Sequence, residues 1–204
     1  ATVAAFAQWL ADAVFPPPGW AAPTGAETPD LGCLAAQGKD ADPDVRQAAV
    51  VALAPVAGDA ALALLVRALR DLWWEVRRTA AAALGVRGDP AAVGALTMAL
   101  GDPVPGVRVA AALALGQIGG ARAAEVLAAA LHAYYWDVRA AAVLALARLD
   151  VTEAIPLLAM ALHERVTAAG EAAAAALGMI GSAARPSLIA ALQDPSASVR
   201  VRAA

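Results

Sequence analysis

Few residues in this chain have types that could do chemistry. His132 and His163 are the only histidines, and they stand 31 residues apart. Glu164 follows His163 directly, whereas Ala133 follows His132. Two imidazoles and one carboxylate can in principle hold a divalent metal. The simpler reading is two turn histidines at helix C-termini, solvated or capping the last carbonyls, and neither metal nor other cofactor is expected. Cys33 is the sole cysteine, which excludes an intrachain disulfide and a thiolate metal cluster. It has no histidine near it in sequence, and no Ser/His/Asp arrangement is apparent. "LGQIGG", Leu115 to Gly120, ends a helical pattern instead of opening a helix after a strand, so it is no phosphate loop. The chain is therefore expected to be no enzyme.

The aromatic residues are more informative. "WWEVRRTAAAALG", Trp73 to Gly85, sets two tryptophans before a charged pair and an alanine run. The same frame returns as "GVRVAAALALG", Gly106 to Gly116, and as "DVRAAAVLALA", Asp137 to Ala147, where Trp136 stands in the slot of Trp74. The chain is 61% hydrophobic but only 4% aromatic, so alanine supplies much of the apolar content. Alanine has the best helix propensity and lets helices approach closely. The net charge of −3 is no electrostatic footprint for nucleic acid. Charges also recur too often for a membrane span: between Arg108 and Arg122 lie 13 uncharged residues, three of them glycine and one glutamine.

The frame belongs to a repeat. Leucine recurs at Leu53, Leu84, Leu115, Leu146 and Leu177, a constant step of 31. Alanine precedes each of them, and Val45, Val76, Val107 and Val138 mark the front of the same helix. A second ladder runs through Leu65, Leu96, Leu127, Leu158 and Leu188, with Leu69, Leu100, Leu131, Leu162 and Leu192 one helical turn further on. Each unit thus holds two short apolar helices. Gly58-Asp59, Gly88-Asp89 and Gly119-Gly120 mark the turns between units, and Asp102-Pro103 and Asp194-Pro195 the turns within them. No alternating strand pattern competes. Neither helix can bury its apolar face alone, so the units must stack. The second helices are expected near residues 43–57, 74–87, 105–118, 136–149 and 167–181. A partial sixth pair follows, near 183–193 with a stub from 197.

The frame D-x-x-x-x-x-R-x-x-A-A-x-A-L-G resembles the HEAT repeat, specifically the short bacterial HEAT-like type called PBS-lyase repeats. The resemblance covers roughly Pro29 to the end. It implies an all-α fold, a right-handed α-α superhelix of about five helix pairs plus a partial sixth, with the second helices lining a concave side. It also implies a hydrogen-bonded ladder between an Asp and an Arg six residues later, here Asp40/Arg46, Asp71/Arg77, Asp102/Arg108 and Asp194/Arg200. Ala133 precedes Arg139 in the fourth unit, and the fifth has Glu164 with Gly170. The ladder is expected to weaken there, with the fifth unit the loosest. Deoxyhypusine hydroxylases of this repeat type hold two irons with several His-Glu pairs. This chain has one such pair, which argues against a di-iron site.

If the second helices line a concave face, their register exposes Trp74, Glu75 and Arg78, then Val109 and Leu113, then Trp136, Asp137 and Leu144. Trp74 and Trp136 would anchor an apolar strip, with Glu75, Arg78 and Asp137 as a polar rim, the composition of a protein-binding hot spot. Trp73, Tyr134 and Tyr135 extend the aromatics into the turns. The alternative is that a tryptophan at a helix start staples the preceding turn and replaces bulk missing from an alanine core. The concave positions hold one Arg against Asp44, Glu75, Asp137 and Glu171, which disfavours nucleic acid. The expected function is a non-catalytic scaffold binding a protein or peptide along this strip, with no nucleic acid and no membrane. Exposed aromatics would equally serve self-association. The competing class is an accessory subunit of an enzyme, bilin-lyase-like or metal-dependent.

At the N-terminus, residues 2–15 place Val3, Phe6, Leu10 and Val14 on one helical face. They read as a capping helix or as a helix of a preceding domain. Residues 16–29 hold five prolines and form a linker or wrapping loop, and 30–204 form the repeat array. The chain begins without Met and ends inside a helical pattern, so a piece of a longer protein is expected. A cytoplasmic location fits the single cysteine.

Overall fold

The computed structural model describes residues 30–149, 151–163 and 167–204. The expected N-terminal helix (2–15) and proline-rich linker (16–29) lie outside them, as does Glu164. The chain divides into two compact units, residues 1–114 and 115–204. The described residues contain helices and no strand.

In the first unit the helices alternate between the two members of each repeat. They are α1 (Leu31–Gln37), α2 (Pro43–Leu53), α3 (Asp59–Ala68), α4 (Trp74–Arg87), a 3-10 turn (Pro90–Ala92) leading into α5 (Val93–Ala99), and the start of α6 (Pro105–Ile118). The starts follow from capping chemistry. Asp42 accepts from the amide of Asp44 at 2.9 Å, with Pro43 opening α2. Asp89 does the same for Ala91 ahead of Pro90. The ends follow from glycine: Gly88 stops α4 in the left-handed conformation at φ 69°, and Gly58 has φ 101° before α3, values that L side chains rarely adopt.

The second unit continues with the rest of α6, then α7 (Gly120–Ala130), α8 (Trp136–Leu146), α9 (Val151–Leu162), α10 (Thr167–Ile180), a 3-10 turn (Gly181–Ala184), α11 (Arg185–Leu192) and α12 (Ala197–Ala203). Helices run nearly without a break from Gly170 to Leu192, a stretch long and apolar enough by composition to cross a membrane. Gly181, at φ 76°, divides it into α10 and α11. At 1.5 Å per residue these span about 21 and 12 Å, both short of a hydrocarbon core of about 30 Å. They read as consecutive members of the repeat pattern.

The ladders occupy equivalent places in the core. Leu53, Leu84, Leu115, Leu146 and Leu177 are all buried, as are Leu65, Leu96, Leu127 and Leu158. Alanine permits the close approach around them, and glycine goes further. A methyl group on Gly116 would stand 2.8 Å from the Cβ of Ala145, so α6 and α8 meet there at a distance only glycine allows. The last repeat departs from the ladder: Leu188 is half-buried and Leu192 is exposed.

Candidate binding surface

The expected Asp/Arg ladder is present: Arg46, Arg77, Arg108 and Arg200 each donate to the backbone carbonyl of the aspartate six residues earlier. Arg46 and Arg77 also reach a second way. Arg77 Nη1 donates to the backbone carbonyls of Asp71 (2.8 Å) and Leu72 (3.1 Å) in its own turn. Its Nε and Nη2 donate to both oxygens of Asp102, one repeat ahead, at 2.7 and 3.0 Å. Arg46 repeats this with the carbonyls of Asp40 and Ala41 and the carboxylate of Asp71, at 2.7 and 2.8 Å. That bidentate clamp holds the Asp71 carboxyl below the usual carboxylate range and raises Arg46. Asp102 does the same to Arg77. The carboxylate also starts the next helix: Asp71 Oδ1 accepts from the Trp73 amide at 2.9 Å.

Trp74, the first residue of α4, lays its ring over Gly106. A Cβ at Gly106 would sit 3.5 Å from Trp74 Cζ3 and 3.7 Å from Arg78 Cδ. The Arg78 guanidinium carbon stands 5.6 Å from the ring centroid, within cation–π range. Trp74 stays 38% exposed in this cluster. Beneath it, Thr79 Oγ1 donates to the carbonyl of Glu75 at 2.8 Å and accepts from Gln47 Nε2 at 2.9 Å, joining α2 to α4. Glu75 is half-buried, and its Oε2 is shielded from solvent with no hydrogen-bond partner. Trp73 and Leu72 extend the apolar surface into the turn. Arg77 holds the Leu72 carbonyl inward, and the Leu72 side chain stands 94% exposed.

The second unit carries its own aromatic group. Trp136 opens α8 at 61% exposure. Tyr134 and Tyr135 precede it with ring centroids 5.4 Å apart, edge to face. Leu144 is half-buried, as Leu113 is on α6.

Two of the expected strip residues do not belong to any surface. Val109 is fully buried. It fills the slot of Arg78, but a short β-branched side chain stays down against the helix flank where arginine extends outward. Asp137 is also buried, at 2% exposure, in the first turn of α8 where the helix dipole favours a carboxylate. It does not rim an exposed strip. The structure thus brings together Trp74 and Arg78, with Gly106 as their floor. Leu72 was not foreseen. Its signal was an apolar residue in the turn slot that elsewhere holds Ala41, Pro103, Tyr134 and Pro195.

A recess of about 520 Å³ in the first unit is floored by Leu34, Val50, Leu53 and Val76, edged by Arg46 and Asp71, and reaches Leu72 and Trp73. Lys39, Asp40, Arg67 and Arg70 line it beside the clamp pair. Among the described residues no group of three or more His, Cys, Asp and Glu is placed to hold a metal. Each His163 ring nitrogen faces an oxygen: Nδ1 the Ala159 carbonyl at 2.8 Å, Nε2 the Asp194 carboxylate at 3.0 Å. His132 is exposed.

Paired helices, a ladder of equivalent buried leucines and arginine-clamped turns define an α-helical repeat protein. The HEAT repeat model matches residues 69–146 and again 127–204, and the chain belongs to the HEAT repeat family. No curated protein matches it. Among solved structures it is similar to the complex of CpcE and CpcF of phycocyanin lyase from Nostoc sp. PCC7120. That likeness has 26% identity and a TM-score of 0.57, and covers 91% of this chain and 78% of that one. A designed armadillo repeat protein in complex with the peptide (KR)4 is similar at 19% identity and a TM-score of 0.50, over 85% and 96% of the two chains. This second likeness shows the fold alone. The short HEAT-like repeats and the all-α solenoid class read from the ladders therefore hold.

Proposed function

We propose that the chain is a non-catalytic scaffold that binds a protein or peptide through the exposed aromatic faces of its second helices. The observation that carries this reading is the Trp74 ring, packed against Gly106 and beside Arg78 yet left more than a third exposed. A tryptophan serving only to staple a turn would bury its ring. Here the backbone of Gly106 and the arginine stem hold the indole in one orientation, which lowers the entropy lost when a partner covers it. Trp136 with its tyrosines offers a second anchor of the same kind. Tryptophan, tyrosine and arginine are the side chains that dominate binding hot spots.

Display selection of random peptides against the full chain tests this. Trp74→Ala should weaken the selected peptides by about 2 kcal/mol, roughly thirtyfold in Kd, with helical circular dichroism unchanged. Equal binding by the variant refutes the assignment, and loss of helicity returns Trp74 to a packing role.

A second reading rests on the likeness to the complex of CpcE and CpcF of phycocyanin lyase. In it the partner is another repeat protein, and the pair serves as an accessory to chromophore attachment. Bilin absorbance retained by the purified chain, alone or with such a partner, would favour this reading over a free peptide scaffold.

A further inference from the structure

The first repeat breaks the leucine ladder at one rung. Leu69, Leu100, Leu131 and Leu162 recur at a step of 31, but 31 residues before Leu69 the chain has Gly38. The neighbouring rung is kept, because Leu34 stands 31 before Leu65 and is buried. Leu69, Leu131 and Leu162 are buried in their own repeats. Gly38 ends α1 at φ −68°, a conformation open to any residue, so the backbone does not require glycine there. Gly38 lines the recess of about 520 Å³. The corresponding recess one repeat on is lined by Leu69, Ala95, Met98 and Gly101 and measures about 200 Å³. The leucine side chain that Gly38 lacks is part of that difference. The rim differs as well. Lys39, Arg67 and Arg70 stand where the next recess has Arg70, Met98 and Gly101. All three basic residues are exposed, and among the described residues none of them forms an ion pair. Arg67 Nη2 donates to the Gly38 carbonyl at 3.4 Å, tying α3 to the end of α1.

We infer that this recess receives a leucine-sized side chain of a partner protein, presented on an acidic segment. The later repeats show which shape fits, since each sets its own leucine at this rung. Leu34, Val50, Leu53 and Val76 supply the apolar floor, and covering it removes hydrocarbon from water. The rim selects the flanking charge. Lys39 follows α1, and Arg67 and Arg70 stand on and just beyond α3, so basic groups come from two elements. Carboxylates on both sides of one apolar residue complement that arrangement, and a single carboxylate does not. With the clamp included, four basic residues line the recess against Asp40 and Asp71, in a chain whose net charge is −3. Such complementarity favours an acidic partner and speeds its encounter. Trp74 does not line the recess, so this surface is separate from the one proposed above.

The probe is a capped peptide with one central leucine between runs of Asp and Glu, titrated into the isotope-labelled full chain. Amide resonances of Gly38, Lys39, Ala68 and Arg70 should shift, and added salt should weaken the binding. A central alanine, or Asn and Gln in place of the carboxylates, should raise Kd about tenfold or more. Gly38→Leu restores the missing rung and fills the recess from within. It should raise Kd by a similar factor while helical circular dichroism is kept. Arg67→Met/Arg70→Gln, which changes only exposed side chains, should do the same. No shift at about 1 mM peptide would overturn the inference. So would wild-type affinity in Gly38→Leu, or shifts confined to residues around Trp74 and Gly106. Shifts at the recess with dodecanoate and none with the peptide would assign it to a free amphiphile instead. Shifts there on raising the chain concentration alone would assign it to a second copy.

Discussion

In residues 30–114, Arg46 and Arg77 each grip their own turn by its carbonyls and the next repeat's aspartate by both oxygens. In residues 115–204 the same frame has lost parts. Ala133 stands where the turn aspartate would be and Gly170 where the arginine would be. Arg139 nevertheless donates to the carbonyls of Ala133 and Tyr134 at 2.8 and 3.0 Å, because a backbone acceptor survives any side-chain change. Asp194 finds His163 at 3.0 Å in place of an arginine. Arg202 fills the room over Gly170 and donates to the Leu162 carbonyl at 2.8 Å. The expected weakening of the fourth and fifth units is thus partly offset. The turn depends on the arginine, whereas the repeat-to-repeat clamp depends on the carboxylate. Only the second is lost with the aspartate side chain.

This contrast can be broken at several levels. The packing ladder is common to both units, so Leu84→Ala and Leu146→Ala should cost alike, about 3 kcal/mol each, in hydrogen-exchange free energies of their own units. A large inequality would show that the clamp, not the core, sets local stability. Asp102→Ala should cost about 2 kcal/mol in residues 30–114, because it leaves the largely buried Arg77 guanidinium with only its turn carbonyls. Exchange in α10 to α12 should not change.

Acid sharpens the comparison further. The Asp71 carboxyl titrates below its unfolded value, so the folded state binds fewer protons than the unfolded chain. Its stabilising contribution is complete above the unfolded value of about 4 and is lost as pH falls through the lower folded value. Exchange-measured stability of residues 30–114 should fall on acidification below about pH 4, and Asp71→Asn should flatten that dependence. The smallest effect belongs to His163→Ala. With its ring half-exposed, its pairing with Asp194 should be worth less than about 1 kcal/mol.

The helix pairs were legible because a 31-residue step repeats several independent signals, namely Leu, Ala, Val and the turn residues. The second helices begin at the expected residues 43, 74, 105, 136 and 167, and three of them end earlier, at Leu53, Leu146 and, by one residue, Ile180. The candidate surface was legible only in part. Trp74 and Arg78 follow from register plus side-chain length, whereas Val109 and Asp137 share that register and are buried. Register gives the direction of a Cβ, but exposure depends on how far the side chain reaches past its neighbours. The clamp shows the same limit. An Asp and an Arg six apart in one turn read as a pair, yet their side chains engage different repeats.

Local sequence determined what each segment is: where helices start at Asp-Pro or tryptophan, where glycine ends them, and which stripe is apolar. These depend on backbone propensity and periodicity, which act over a few residues. Only the tertiary structure decided which carboxylate meets which guanidinium and which tryptophan rests on Gly106. Those outcomes depend on distances between residues some 25 to 32 positions apart, and such distances are set by the packing of whole helices.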